Sequence, residues 1–140
     1  MSLHIIDASV AVQWFLPEKF SDAAGRLRKK ENELYVPAFF FVEMHSVILK
    51  YVRRKEITAE TAGQIRTALI HHPFLIHSDR TLLDLAYQIA NQSGCSLYDG
   101  LYLALAVNLG AQMVTADRRL YNNLSTSSFA KHSLWIENIN

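Results

Sequence analysis

Five short apolar runs, separated by stretches of helical spacing, limit what this 140-residue chain can fold into. The runs are residues 3–6, 34–36, 74–77, 112–116 and 134–136. Each is too short for a helix and suits a buried strand. Between them, residues 8–16, 20–30, 39–54, 58–71, 79–91, 98–109 and 117–122 read as helices. In residues 39–54 the apolar set Phe40, Met44, Val47, Ile48 and Tyr51 forms a helical stripe rather than an alternating strand pattern. Residues 98–109 are apolar all round, the mark of a buried helix, and Gly110 ends them. Pro17 is expected to stop the first helix, and Thr58 to cap the fourth with Glu60 in its first turn. Strands alternating with helices predict right-handed crossovers and a mostly parallel sheet, an α/β/α sandwich of three layers. The chain is expected to form one domain over residues 1–140, and no internal repeat or linker interrupts it. The helical pair over residues 39–71 is the segment expected to protrude.

Four acids stand at informative places in this order. Asp7 ends the first strand and Asp117 the fourth. Asp99 opens the buried helix, and Glu43 borders the apolar stripe of its own helix. Taken singly, Asp7 and Asp117 read as caps of the helices that follow them. Asp99 fits a capping box with Ser96. Glu43 would pair at the surface with Lys50 or Arg54, a contact worth ~0–1 kcal/mol. Taken together, the four can converge beyond the carboxyl ends of a parallel sheet, where sites in open α/β folds lie. Carboxylates forced together repel, and a divalent cation relieves that repulsion. An all-oxygen set of this kind suits Mg²⁺ or Mn²⁺. Ser9 and Thr115, each two residues from one of these acids, are positioned to orient a carboxylate or a bound water. Asp22, Asp79 and Asp84 have no strand end beside them and read as structural or solvated.

These residues resemble the PIN domain family, and within it the VapC-type toxin ribonucleases. The resemblance rests on Ile5-Ile6-Asp7-Ala8-Ser9 as the D-x-S/T opening and on Pro37 followed by Glu43. It continues through Ser96-Leu97-Tyr98-Asp99-Gly100-Leu101 and closes on Thr115-Ala116-Asp117. It implies a metal-dependent endoribonuclease, the toxin of a type II toxin–antitoxin pair. Such an enzyme hydrolyses RNA phosphodiesters with a metal-activated water and leaves a 3′-hydroxyl and a 5′-phosphate. Asp7 and Asp99 would be the main metal ligands, completed by Glu43 and Asp117. The partners implied are RNA, a cognate antitoxin protein and a second copy of the chain. The family often has Asn three residues after the helical acid, where this chain has Ser46.

Two other readings compete. A catalytically inactive PIN-like interaction module would use the acids only as caps. A phosphotransferase would use Asp7 as nucleophile, but such enzymes commonly place a second Asp where Ser9 stands. Net charge is +1, so bulk electrostatics neither demand nor exclude nucleic acid. Arg118 and Arg119, directly after the fourth acid, are the best-placed cations for an RNA backbone. The basic clusters at residues 26–30 and 50–55 read as solvated helix ends. Trp14, Phe15 and Phe20, and the run Phe39-Phe40-Phe41, are candidates for partner surfaces, although core packing accounts for most of them. No glycine-rich phosphate loop and no Cys/His metal spacing is present. The single Cys95 cannot form an internal disulfide, and no run is long enough to span a bilayer. A soluble protein of the reducing cytoplasm is therefore expected.

Overall fold

The computed structural model describes residues 2–16 and 18–140. Among these, five strands form one all-parallel sheet: β1 (Ser2–Ile6), β2 (Asn32–Pro37), β3 (Leu75–His77), β4 (Gln112–Thr115) and β5 (Ser133–Trp135). The helices are α1 (Ala8–Phe15), α2 (Ser21–Gly25), α3 (Phe39–Arg53), α4 (Ala59–His71), α5 (Asp79–Ser93), α6 (Leu97–Leu109) and α7 (Arg118–Ser125). Pro17, expected to stop α1, lies outside the described residues. The expected helix over residues 20–30 is shorter. α2 ends at Gly25 and passes into a 3₁₀ turn at Arg26–Arg28. The Asn32 amide donates to the carbonyls of Arg26 and Leu27, which takes up acceptors that a longer helix would have used. Pro37 is the last residue of β2 rather than the residue beyond it.

Strand order is β3-β2-β1-β4-β5. The chain first moves outward from β1 to β2 to β3, then returns past β1 to β4 and β5. Right-handed crossovers in opposite directions put α1–α4 on one face of the sheet and α5–α7 on the other. The contacts agree: α1 touches α2 and α3, while α5 packs on α6, and α6 covers β1, β2 and β4. The order reverses between β1 and β4, so a crevice opens beyond their carboxyl ends. Register fixes what stands there. Ile6 pairs with Val114, so Asp7 and Thr115 are the next residues on neighbouring strands.

Every residue from Gly100 to Ala106 on α6 is buried, as its all-round apolar pattern predicts. Gly110 closes the helix in the left-handed region (φ 61°). Because α6 leads straight into β4, its far end, with Asp99, returns to the carboxyl edge of the sheet. Trp14, Phe15 and Phe20 are half-buried. Trp14 stacks on His72 and Phe74, its indole N–H donates to Ala24 O at 2.8 Å, and Phe20 meets Trp135 edge-on. These side chains are packing, not an open surface. Phe40 is in the core, and Phe39 stacks on Tyr98 of α6 at 4.8 Å.

At Gly100, α6 lies directly against the backbone of α5. A Cβ there would lie 2.6 Å from the Ala86 carbonyl oxygen, a backbone atom that cannot swing aside. Gly100→Ala is expected to destabilise the protein by ~1–3 kcal/mol, as overpacking does. A lowered midpoint in urea unfolding checks this, and an unchanged midpoint would mean the two helices part without cost.

Candidate active site

Each of the four acids is delivered by a different element. Asp7 follows β1 and is buried, with 5% of its surface exposed. Its Oδ1 accepts from Val10 N at 3.2 Å and so caps α1. The same oxygen accepts from the Ser9 hydroxyl, while Oδ2 accepts from Thr115 Oγ1 at 2.7 Å. Ser9 and Thr115 are held in turn by the neighbouring backbone: Ala116 N donates to Ser9 Oγ at 2.9 Å and Asp117 N to Thr115 Oγ1 at 3.1 Å. Both hydroxyls therefore orient Asp7 rather than serving only their own elements.

Asp117 caps α7, accepting from Leu120 N at 3.1 Å, and is exposed. Asp99 does not cap its helix. Ser96 does so by accepting from Asp99 N at 3.0 Å, the backbone half of the expected capping box. Glu43 lies one turn into α3, half-buried, and its partner is neither Lys50 nor Arg54. The Tyr102 hydroxyl of α6 donates to Glu43 Oε1 at 2.6 Å. Glu43 from one helical layer and Tyr102 from the other thus meet over the carboxyl edge of the sheet. Ser46, where the family often carries Asn, is exposed and one turn further on. Asp79 is structural: its Oδ1 accepts from Phe39 N at 3.0 Å, the cap that Ala38 does not provide for α3. Asp22 and Asp84 are exposed.

Tyr102 is a site residue that the sequence reading passed over. A tyrosine buried in an all-apolar helix needs a hydrogen-bond partner. Its position one turn after Asp99 was the available signal.

The acids sense one another. Burial raises the Asp7 carboxyl from its ordinary value near 3.8 to about 7; hydrogen bonds from Ser9 and Thr115 oppose the rise, and Glu43 and Asp99 add to it. Burial raises Asp99 to about 6, opposed by the Ser96 hydrogen bond and reinforced by Glu43 and Asp117. Tyr102 is raised by its burial and by the adjacent negative charge of Glu43. No cation is among the influences on either aspartate. Asp99 and Asp117 also line a cleft of about 440 Å³ together with Arg119 and Asn123. Arg118 points elsewhere: its guanidinium lies 3.7 Å from the centre of the Trp135 ring.

Carboxylate oxygens that raise one another, with no cation among the influences on Asp7 or Asp99, are the donor type that a hard divalent ion takes. Among the described residues no group of three or more acidic, His or Cys side chains is gathered closely enough to hold a metal ion as it stands.

Comparison with known proteins agrees with this architecture. The sequence model of the PIN domain matches residues 4–123, a span that includes all four acids. The chain belongs to the PIN domain family. Its similarities within that family place it with the VapC type. Ribonuclease VapC3 of Pyrobaculum aerophilum is 28% identical over 118 residues, covering 83% of this chain and 90% of that protein. Ribonuclease VapC12 of Mycobacterium tuberculosis is 30% identical over 116 residues, covering 83% and 88%. Two crystal structures share the fold. PAE2754 from Pyrobaculum aerophilum superposes with a TM-score of 0.69 at 20% identity, over 97% of this chain and 85% of that one. VapC20 of Mycobacterium tuberculosis, a sarcin-ricin loop cleaving toxin, superposes with a TM-score of 0.62 at 14% identity, over 81% and 87%. Among the described residues of this PIN domain, no helix is long and apolar enough to cross a membrane.

The raised Asp7 value has a consequence for stability. Its folded pKa of about 7 lies above the ordinary 3.8, so the folded state holds the proton more tightly. The stability that Asp7 contributes by holding this proton is therefore fully present below pH ~4 and is lost as pH rises through ~7, where the buried carboxylate ionises. With metal chelated, Asp7→Asn should raise the thermal midpoint at pH 8 by roughly 5–10 °C, corresponding to ~2–4 kcal/mol. The gain should vanish at pH 4. A midpoint that Asp7→Asn leaves unchanged at pH 8 would show that the burial penalty is absent.

Proposed function

We propose that this PIN domain is a metal-dependent endoribonuclease, the toxin of a type II toxin–antitoxin pair, with residues 1–140 acting as one catalytic unit. The observation that carries this reading is the convergence of Asp7, Glu43 and Asp99. They come from three separate elements, yet lie close enough for the charges of Glu43 and Asp99 to raise Asp7. Two of these carboxyls are raised well above their ordinary range, which costs stability and is unexplained by helix capping alone. The ribonuclease names of its VapC relatives supply the substrate class.

In this reading Asp7 and Asp99 hold Mg²⁺ or Mn²⁺, with Glu43 and Asp117 completing the cluster. The ion, when bound, would lower the pKa of a water and neutralise charge developing on the phosphate. The rest falls to side chains of the protein. Ser9 and Thr115 fix the rotamer of Asp7 and spend their hydrogen bonds on its ionised form. Tyr102 holds Glu43 at the rim and keeps it from swinging toward the cations of α3. Asp117, at the exposed edge, would complete the cluster through a water or a second ion. Arg119 offers a positive charge at the margin of an otherwise repulsive site.

Two surfaces support the proposed partners. α3 and α4 enclose an apolar groove of about 350 Å³ lined by Ile48, Leu49, Val52 and Ala62, suited to an apolar antitoxin segment. At the sheet edge, β3 exposes Leu75 and Ile76, and α5 exposes Leu83 and Tyr87. An unpaired edge strand with such neighbours suits a second copy of the chain. A reducing cytoplasm, where RNA and a free Cys95 coexist, is the proposed compartment.

Purified protein with Mn²⁺ is expected to cut single-stranded RNA internally, and chelation should abolish the cutting. Asp7→Asn and Asp99→Asn should each lower the rate at least ~100-fold, the scale of losing a main electrostatic stabiliser, while circular dichroism stays unchanged. Tyr102→Phe should lower it by roughly tenfold, since one hydrogen bond to a charged group is worth ~1.5–3 kcal/mol. A folded protein that binds Mn²⁺ and cuts no RNA would end the proposal and favour an inactive interaction module.

A further inference from the structure

Beside the acid cluster lies a cleft that shares Asp99 and Asp117 with it and extends away from it along α7. Its floor is the turn between α5 and α6. There Gly94 adopts a left-handed conformation (φ 79°), and Cys95 and Ser96 lead into α6. Its wall is α7, which presents Arg119 and Asn123 on one face, four residues apart. Asn123 Nδ2 donates to Ser93 O at 3.1 Å and so ties the wall to the floor. The amide keeps a second N–H and its carbonyl oxygen to offer a ligand. Asp99 and Asp117 form the border toward the acid cluster. The volume, about 440 Å³, is ample for a nucleoside and within the ~300–1,000 Å³ typical of small-ligand sites.

Local helix energetics do not explain Arg119. It sits in the first turn of α7, where the helix dipole disfavours a cation. Arg118 shares that position but is engaged on the Trp135 ring. Arg119 instead lines a cleft whose other charged groups are acids of the cluster. A cation held there, one step from carboxylates that repel a phosphodiester backbone, is placed to draw that backbone in.

We propose that this cleft is a nucleotide subsite: it seats the nucleotide next to the scissile phosphate, with Arg119 on the phosphate of that nucleotide and Asn123 against its base. The inference rests on the nuclease reading and adds where the RNA lies and which side of the acid cluster it enters from. Arg119 supplies affinity without sequence preference, and Asn123 supplies base discrimination.

Cys95 makes the subsite observable. It is the only cysteine of the chain, it is half-buried, and it lines the cleft. The test uses the full chain as Asp7→Asn, which removes cleavage, and a short single-stranded oligoribonucleotide of mixed sequence as probe. Saturating oligonucleotide is expected to slow alkylation of Cys95 by iodoacetamide several-fold. Adding Arg119→Ala should weaken binding about tenfold at low salt and lower the salt slope by roughly 0.7. Lys131→Ala removes the same charge near the amino ends of β4 and β5 and should leave both unchanged. Protection and the Arg119 loss are both required. Tight binding with Cys95 alkylated at its free rate, or with Arg119→Ala matching Lys131→Ala, overturns the subsite and leaves the nuclease reading standing. Absence of both binding and Mn²⁺-dependent cleavage in the unsubstituted protein overturns the two together.

Discussion

When β1 pairs in parallel with β4, Ile6 stands opposite Val114, and the next residues along the two strands are Asp7 and Thr115. The Thr115 hydroxyl then donates to Asp7 at 2.7 Å. Ser9 closes the arrangement by bonding Asp7 and accepting from Ala116 N. One strand pairing thus produces a carboxylate that is buried, oriented and placed at the point where strand order reverses. Glu43 and Asp99 acquire their significance by lying next to it. A sheet with β1 and β4 apart would leave the four acids on four separate elements.

This arrangement works against stability. A carboxylate with 5% of its surface exposed, near two others and without a neighbouring cation, is held above its ordinary pKa. The fold tolerates it because the rest of the core is apolar and closely packed: α6 is buried along two turns, and Gly100 lets α5 approach within contact of its backbone. Functional sites are commonly where a protein accepts such local cost. Here the cost is electrostatic, and a bound cation would relieve it.

Capping a helix and standing at the carboxyl rim are not rival accounts. Asp7 and Asp117 do cap α1 and α7, as their positions before helices suggest, and still reach the carboxyl rim. A helix that follows a parallel strand begins at that rim, so its cap residue is automatically at the site. Asp99 differs because Ser96 takes the capping role. The Glu43 partner could not be anticipated from spacing. Lys50 and Arg54 are sequence neighbours on one helix, whereas Tyr102 is 59 residues away and meets Glu43 only when both helical layers fold over the sheet. Likewise Arg118 and Arg119 look equivalent in the sequence, and only the position of Trp135 separates them.

By itself the sequence determined the elements, because apolar spacing and turn residues act over a few positions. It determined the parallel α/β class and the two strand-end acids for the same reason. Tertiary structure alone decided the strand order, the burial of Asp7, the Tyr102–Glu43 bond and the cleft against α7. Those depend on contacts between residues far apart in the chain, and local periodicity carries no information about which strand becomes whose neighbour.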